Sequence, residues 1–151
     1  MEGVQRGRLI LGGYAFDVED CGNTGFYVFE SDEAEGTVTV SLEVRFRPGR
    51  FGGDTAAPSI NISEHETGRK SLSEAIGSGY SVKEVIEADR REDTLYVYEH
   101  EPFVRYTLQL LDKKDGVVHV ALSGTAVVDG YSIPCETAAL EGEFWLRVNE
   151  K

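Results

Sequence analysis

Between residues 37 and 47 apolar and polar side chains alternate without interruption. Val38, Val40, Leu42, Val44 and Phe46 fall on one side, and Thr37, Thr39, Ser41, Glu43, Arg45 and Arg47 fall on the other. Successive side chains of a strand point to opposite faces, so the segment predicts a strand with one dry face and one wet face. The period returns in the second half of the chain. Val104, Tyr106, Leu108 and Leu110 share a side, as do Val118, Val120 and Leu122, and then Leu140, Gly142, Phe144, Leu146 and Val148. Asp115-Gly116 separates the first two of these rows and Asp129-Gly130 comes later; both pairs tolerate the positive φ of a tight hairpin. An antiparallel meander over residues 95 to 148 is expected.

Upstream, residues 8 to 18, 25 to 30 and 58 to 63 are shorter strand candidates, separated by the acidic turn at 31 to 36 and the glycine-rich loop at 48 to 54. Residues 71 to 89 break the two-residue period. Ser71 with Glu74 and Ser81 with Glu84 have the spacing of capping boxes, in which serine and glutamate satisfy the free amides of a helix start. Leu72, Ala75 and Ile76, then Val82, Val85 and Ile86, follow helical spacing around a hinge at Gly77-Ser78-Gly79. The fold expected is mainly β: an antiparallel β-sandwich or partly closed barrel of about eight or nine strands, with a short helical pair inserted near residues 71 to 89.

A chain of 151 residues suits one globular domain, spanning residues 1 to 151, with a single core. Residues 9 to 16 are too short and too glycine-interrupted to span a membrane or serve as a secretory segment. Cys21 and Cys135 lie far apart and match neither a disulfide framework nor a zinc motif, so a cytoplasmic protein with two thiols is expected, although one long-range pairing stays open. The formal charge of −12 disfavours nucleic acid and acidic lipid, and favours encounter with basic partners.

The chemistry-bearing residues form no coherent catalytic set. His65, His100 and His119 lack the short spacing of metal ligands and read as isolated exposed histidines, and the 31 to 36 turn lacks the calcium-loop pattern. Ser78 lies between helices and lacks the first glycine of a nucleophile elbow. No metal and no cofactor is expected. Two surfaces stand out. Tyr96, Tyr98 and His100 fall on one side of a strand expected to end or kink at His100-Glu101-Pro102, with Glu99 and Glu101 beside them. The sole tryptophan, Trp145, alternates with Glu143 and Arg147, and aromatic groups of this kind are enriched at interface centres. Arg45, Arg47 and Arg50, followed by Phe51-Gly52-Gly53, form a weaker candidate for gripping an anion.

The leading expectation is a non-catalytic, acidic binding protein that recognises another, basic protein, such as an enzyme or toxin, in the manner of an inhibitor or immunity protein. Tyr96, Tyr98, His100 and Trp145 would supply the contacts, with Glu99 and Glu101 at the rim. The alternatives are a small-molecule binder or enzyme with its pocket between the helical pair and the sheet, or a structural or homo-oligomerising domain using an exposed strand edge.

Overall fold

In the computed structural model, which describes residues 4–130 and 135–150, the chain forms twelve strands and two short helices, more strands than the eight or nine expected because the 48 to 54 loop supplies β5 and the start of β6 and the 71 to 89 segment supplies β8. The strands are β1 (Arg6–Leu11), β2 (Tyr14–Asp17), β3 (Gly25–Glu30), β4 (Val38–Arg45), β5 (Gly49–Phe51), β6 (Asp54–Ala56) and β7 (Ser59–Glu66). After α1 (Leu72–Ala75) come β8 (Gly79–Val82), α2 (Val85–Arg91), β9 (Thr94–Tyr96), β10 (His100–Lys114), β11 (Val117–Asp129) and β12 (Glu136–Glu150).

The order β11-β10-β9-β7-β4-β3-β12 is closed by pairing of β12 back onto β11, which makes a seven-stranded barrel. β1 and β2 extend from β12, β8 pairs with β10, and β5 with β6 forms a separate hairpin. Closure of the barrel rests on three long strands of 15, 13 and 15 residues. Their register shifts at Phe103/Arg105, Leu110/Asp112 and Val127/Asp129. Such irregularities bend and twist a strand, which lets a sheet curl onto itself. Among the described strands, β12 with β3 is the parallel pair.

The predicted dry faces meet inside the barrel. Val40, Leu42, Val44, Phe26, Ile60, Ile62, Leu95, Leu108, Leu110, Val118, Val120, Leu122, Phe144 and Leu146 are all buried in one contiguous core. Each such side chain contributes about 1.5–3 kcal/mol by leaving water. Val104 departs from its predicted row: the shift between Phe103 and Arg105 turns it partly outward and brings Phe103 inside in its place. At the seam, Gly7 has φ 137 and a Cβ there would sit 2.2 Å from the Glu143 carbonyl oxygen, so β1 can approach β12 only with a bare backbone.

The helical region follows its sequence signals in part. Ser71 is the N-cap of α1 and its Oγ accepts from the Glu74 amide at 3.3 Å. The second capping box does not form, because Ser81 lies in β8, with its Oγ 2.9 Å from Thr107 Oγ1. β9 covers only the first residues of β10, and the exposed edge beyond them takes β8 as its partner; ladder hydrogen bonds outweigh the local preference for a cap. α2 therefore starts later, at Val85, and presents Ala88 to the core, leaving Val85 and Ile86 exposed. Among the described residues no helix is long and apolar enough to cross a membrane.

Candidate functional site

The stretch containing Tyr96, Tyr98 and His100 is a tight hairpin. β9 ends at Tyr96, residues 97 to 99 turn, and His100 opens β10 directly opposite Tyr96. The two rings lie 4.9 Å apart across the hairpin, so they meet as a cross-strand pair and not as neighbours along one strand. The reversal falls at residues 97 to 99, just ahead of the end or kink expected at His100-Glu101-Pro102, and Val97 turns into the core and anchors the loop.

Other segments converge on the same end of the barrel. The β5–β6 hairpin carries Phe51, whose ring lies 6.3 Å from Tyr98 and 5.5 Å from Tyr14 beside the β1–β2 turn. Tyr14, Tyr96 and Tyr98 stay 37%, 38% and 46% exposed, an uncommon concentration of aromatic surface. Carboxylates surround it. Partial loss of hydration, together with Asp54, Asp129 and Glu136, raises the Tyr98 phenol above its ordinary value. Glu101 accepts from the Gly130 amide at 2.6 Å and so ties the end of β11 to the start of β10. Glu99 is exposed in the turn itself.

Strand pairing adds a second group to this surface. Arg45, Ser59, Tyr96 and His100 are direct partners across β4, β7, β9 and β10, in that order. Beside this row runs a groove of about 480 Å³, lined by Glu43, Arg45, Asn61, Asp89, Glu92 and His100 among others. Arg45 thus shares its groove with three carboxylates, Glu43, Asp89 and Glu92, which would compete with an anion for its charge. Arg47 lies just past β4, with its amide bonded to the Asp17 carbonyl at 2.8 Å, and Arg50 is on β5.

Trp145 does not join this surface. It pairs with His119, which pairs with Asp112 near the far end of β10. At about 3.3 Å per residue, His100 and Asp112 are separated by roughly 40 Å of strand. Trp145 stands between its two cross-strand partners, with the His119 ring stacked at 4.1 Å and 8° and the Arg6 guanidinium 4.1 Å from its centroid. Both ring faces are thereby occupied. His119 also contacts Glu143 at 3.2 Å, so this half-buried histidine is neither isolated nor fully exposed.

The larger departure from sequence reading is His65, expected at the surface and found buried. It belongs to a polar network inside the barrel wall, centred on the fully buried Asp93. Asp93 Oδ1 accepts from the Ser63 amide at 2.8 Å and the Ser63 hydroxyl at 2.9 Å. Its Oδ2 accepts from Arg91 Nε at 2.8 Å and from the Tyr106 hydroxyl at 2.5 Å. His65 Nε2 lies 2.9 Å from Arg91 Nη2 and 2.7 Å from the Tyr106 oxygen. Arginine only donates, so Nε2 accepts and the ring proton belongs on Nδ1. Tyr106 has a single proton to place, and the carboxylate holds it. Burial, then the nearby Arg91 charge, lowers the His65 pKa to about 4, and burial together with Asp93 raises the Tyr106 phenol far above its usual range. The Tyr80 ring stacks on His65 at 5.3 Å and closes the network from β8.

Sequence patterning missed this group because its members are dispersed along the chain and one aspartate among 27 acidic residues carries no local signal. A usable hint existed: Tyr106 is the polar-tipped member of an otherwise aliphatic inward row with Leu108 and Leu110, and a buried tyrosine hydroxyl requires a partner. Both cysteines are free. No group of three or more His, Cys, Asp or Glu able to hold a metal ion occurs among the described residues. Comparison of the chain with protein-family models, curated proteins and solved structures finds no significant match.

Proposed function

We propose that this protein is a non-catalytic binding protein that recognises a basic partner protein through the aromatic end of the barrel, as an inhibitor or immunity protein would. The observation that carries the reading is the exposed set Tyr14, Tyr96 and Tyr98, of which Tyr14 and Tyr98 pack against Phe51 and Tyr96 against His100, with Asp54, Asp129 and Glu136 near Tyr98. Tyrosines present large amphipathic area at low entropic cost, and the surrounding carboxylates complement lysine and arginine side chains. The adjoining groove, with Glu43, Asp89 and Glu92, offers a seat for one such cation. A net charge of −12 speeds encounter with a basic surface and makes it salt-sensitive. The helical segment packs Leu72, Ala75 and Ala88 into the core, which favours this surface over a pocket beneath the helices.

The test places a photo-crosslinking side chain at position 98 and, as a control, at position 109 on the outer face of β10. The expected result is one basic protein captured from position 98 alone and lost at about 0.5 M salt, where the screening length falls to roughly 4 Å. Retention of the same protein by a Tyr96→Ala/Tyr98→Ala variant with unchanged affinity refutes the reading.

A further inference from the structure

A second surface, remote from the aromatic end in its chemistry, has the opposite sign. Ser81, Thr107 and Ser123 are direct partners across β8, β10 and β11, so three hydroxyl side chains stand side by side on the outer wall. In the next row toward the start of β10, Arg105 pairs with Thr125, and continuing the Val82 to Tyr106 register by one residue brings Lys83 opposite Arg105. Ser81, Lys83, Arg105, Thr107 and Ser123 line a depression of about 200 Å³ with Gly124, and no acidic residue among the described residues lines it.

Like charges directly across a strand pair repel and destabilise it. Lys83 and Arg105 are both exposed, and neither forms an ion pair with another described residue. The nearest carboxylate along the hydroxyl row, Glu141, pairs with Ser123 on the side away from Thr107 and lines an adjoining groove of about 670 Å³ that shares Ser123 with this depression. Two unneutralised cations placed together in a chain of net charge −12 are a local reversal of its field. Arg105 is also well positioned: its neighbour Tyr106 is pinned by Asp93, and a Cβ on Gly124 would lie 2.2 Å from the Arg105 carbonyl oxygen, so β11 passes close against it only as glycine.

We infer that this depression is a binding site for a small tetrahedral oxyanion, a phosphate group above all, with Arg105 and Lys83 supplying charge, and with Ser123 and whichever member of the Ser81–Thr107 hydrogen bond keeps its proton free supplying hydroxyl donors. A guanidinium and an ammonium with two available hydroxyl donors match an acceptor that presents oxygens in several directions, which a planar carboxylate does not. The volume lies below the roughly 300–1,000 Å³ of sites for drug-sized ligands, so the site grips one group and leaves the rest of any ligand in solvent.

Calorimetric titration of the full chain at constant ionic strength, with inorganic phosphate, glycerol phosphate and acetate in turn, tests the assignment. Saturable phosphate binding is expected, weakened about tenfold or more by Arg105→Gln and by Lys83→Gln, and unchanged by Arg90→Gln on α2. Tighter binding of glycerol phosphate than of inorganic phosphate assigns the site to phosphorylated organic ligands, and equal binding assigns it to the free ion. Absence of saturation, an equal response to acetate, or an equal loss in Arg90→Gln overturns the proposal. Lys83, Arg90 and Arg105 are exposed, so the variants are expected to fold, which circular dichroism of each confirms.

Discussion

Replacing Asp93 with asparagine probes the energetics of the buried network without opening a cavity. Asparagine keeps one carbonyl oxygen for the Ser63 amide and hydroxyl but puts an amino group where Oδ2 accepted from Arg91 and Tyr106. Tyr106 has an alternative in His65 Nε2, 2.7 Å away, only by displacing the Arg91 Nη2 proton from its single lone pair. Arg91 Nε has none within the network, although the Ser63 and Glu64 carbonyls keep the rest of the guanidinium in place and a 23% exposed side chain admits some water. Breaking a fully buried pair costs about 3–5 kcal/mol, and the partial access to Arg91 places the expected loss near about 3 kcal/mol. Tyr106→Phe removes one charge-assisted donor and should cost about 1.5–3 kcal/mol. Because the two residues share a hydrogen bond, the double variant should lose less than the sum, by about 0.5 kcal/mol or more. Urea unfolding measures all three: with a slope of about 1–3 kcal/mol/M, Asp93→Asn should lower the midpoint by at least about 1 M. A loss below about 1 kcal/mol for Asp93→Asn, or strict additivity of the pair, would refute the description of Asp93 as the buried hub.

The remaining predictions concern other links of the fold. With a folded pKa of about 4 against 6.5, His65 is protonated first in the unfolded chain, so its contribution is complete above about pH 6.5 and is lost as pH falls toward 4, by roughly 3 kcal/mol in all. The difference in pH slope between wild type and His65→Gln, followed by urea unfolding from pH 7 to 4.5, isolates that loss, and parallel slopes would contradict it. Gly7→Ala should destabilise by about 1–3 kcal/mol or more, since it combines an unfavourable φ with a backbone clash at the β1–β12 seam; a thermal midpoint equal to wild type would show that β1 does not approach as described. Arg6→Ala removes the cation over Trp145 and should cost about 0.5–1 kcal/mol while altering the emission of the sole tryptophan. Tyr98→Ala, by contrast, should stay within about 0.5 kcal/mol of wild type, because an exposed side chain contributes little to the isolated fold, and a larger loss would mark it as structural.

Alternation along the chain determined the longer strands, their inward rows apart from Val104, and the mainly β class, because a period of two has only one way to hide an apolar face, but it did not reveal β5, β6 or β8. The Ser71 cap and the hairpin at Asp115-Gly116 were legible for the same local reason: each is specified by a few adjacent residues, with φ 54 and 76 at the turn. Tertiary structure alone decided whether those strands made a sandwich or a closed barrel, since closure depends on β12 reaching both β11 and β3 and on irregularities that alternation does not announce. It decided that Ser81 joins a strand, that His100 faces Tyr96 across a turn, and that Trp145 lies far from both. It also assembled Asp93 with His65 and Tyr106, and Lys83 with Arg105. Residues distant in sequence meet only when strand register sets which positions lie opposite, and that register is settled by the packing of the whole core.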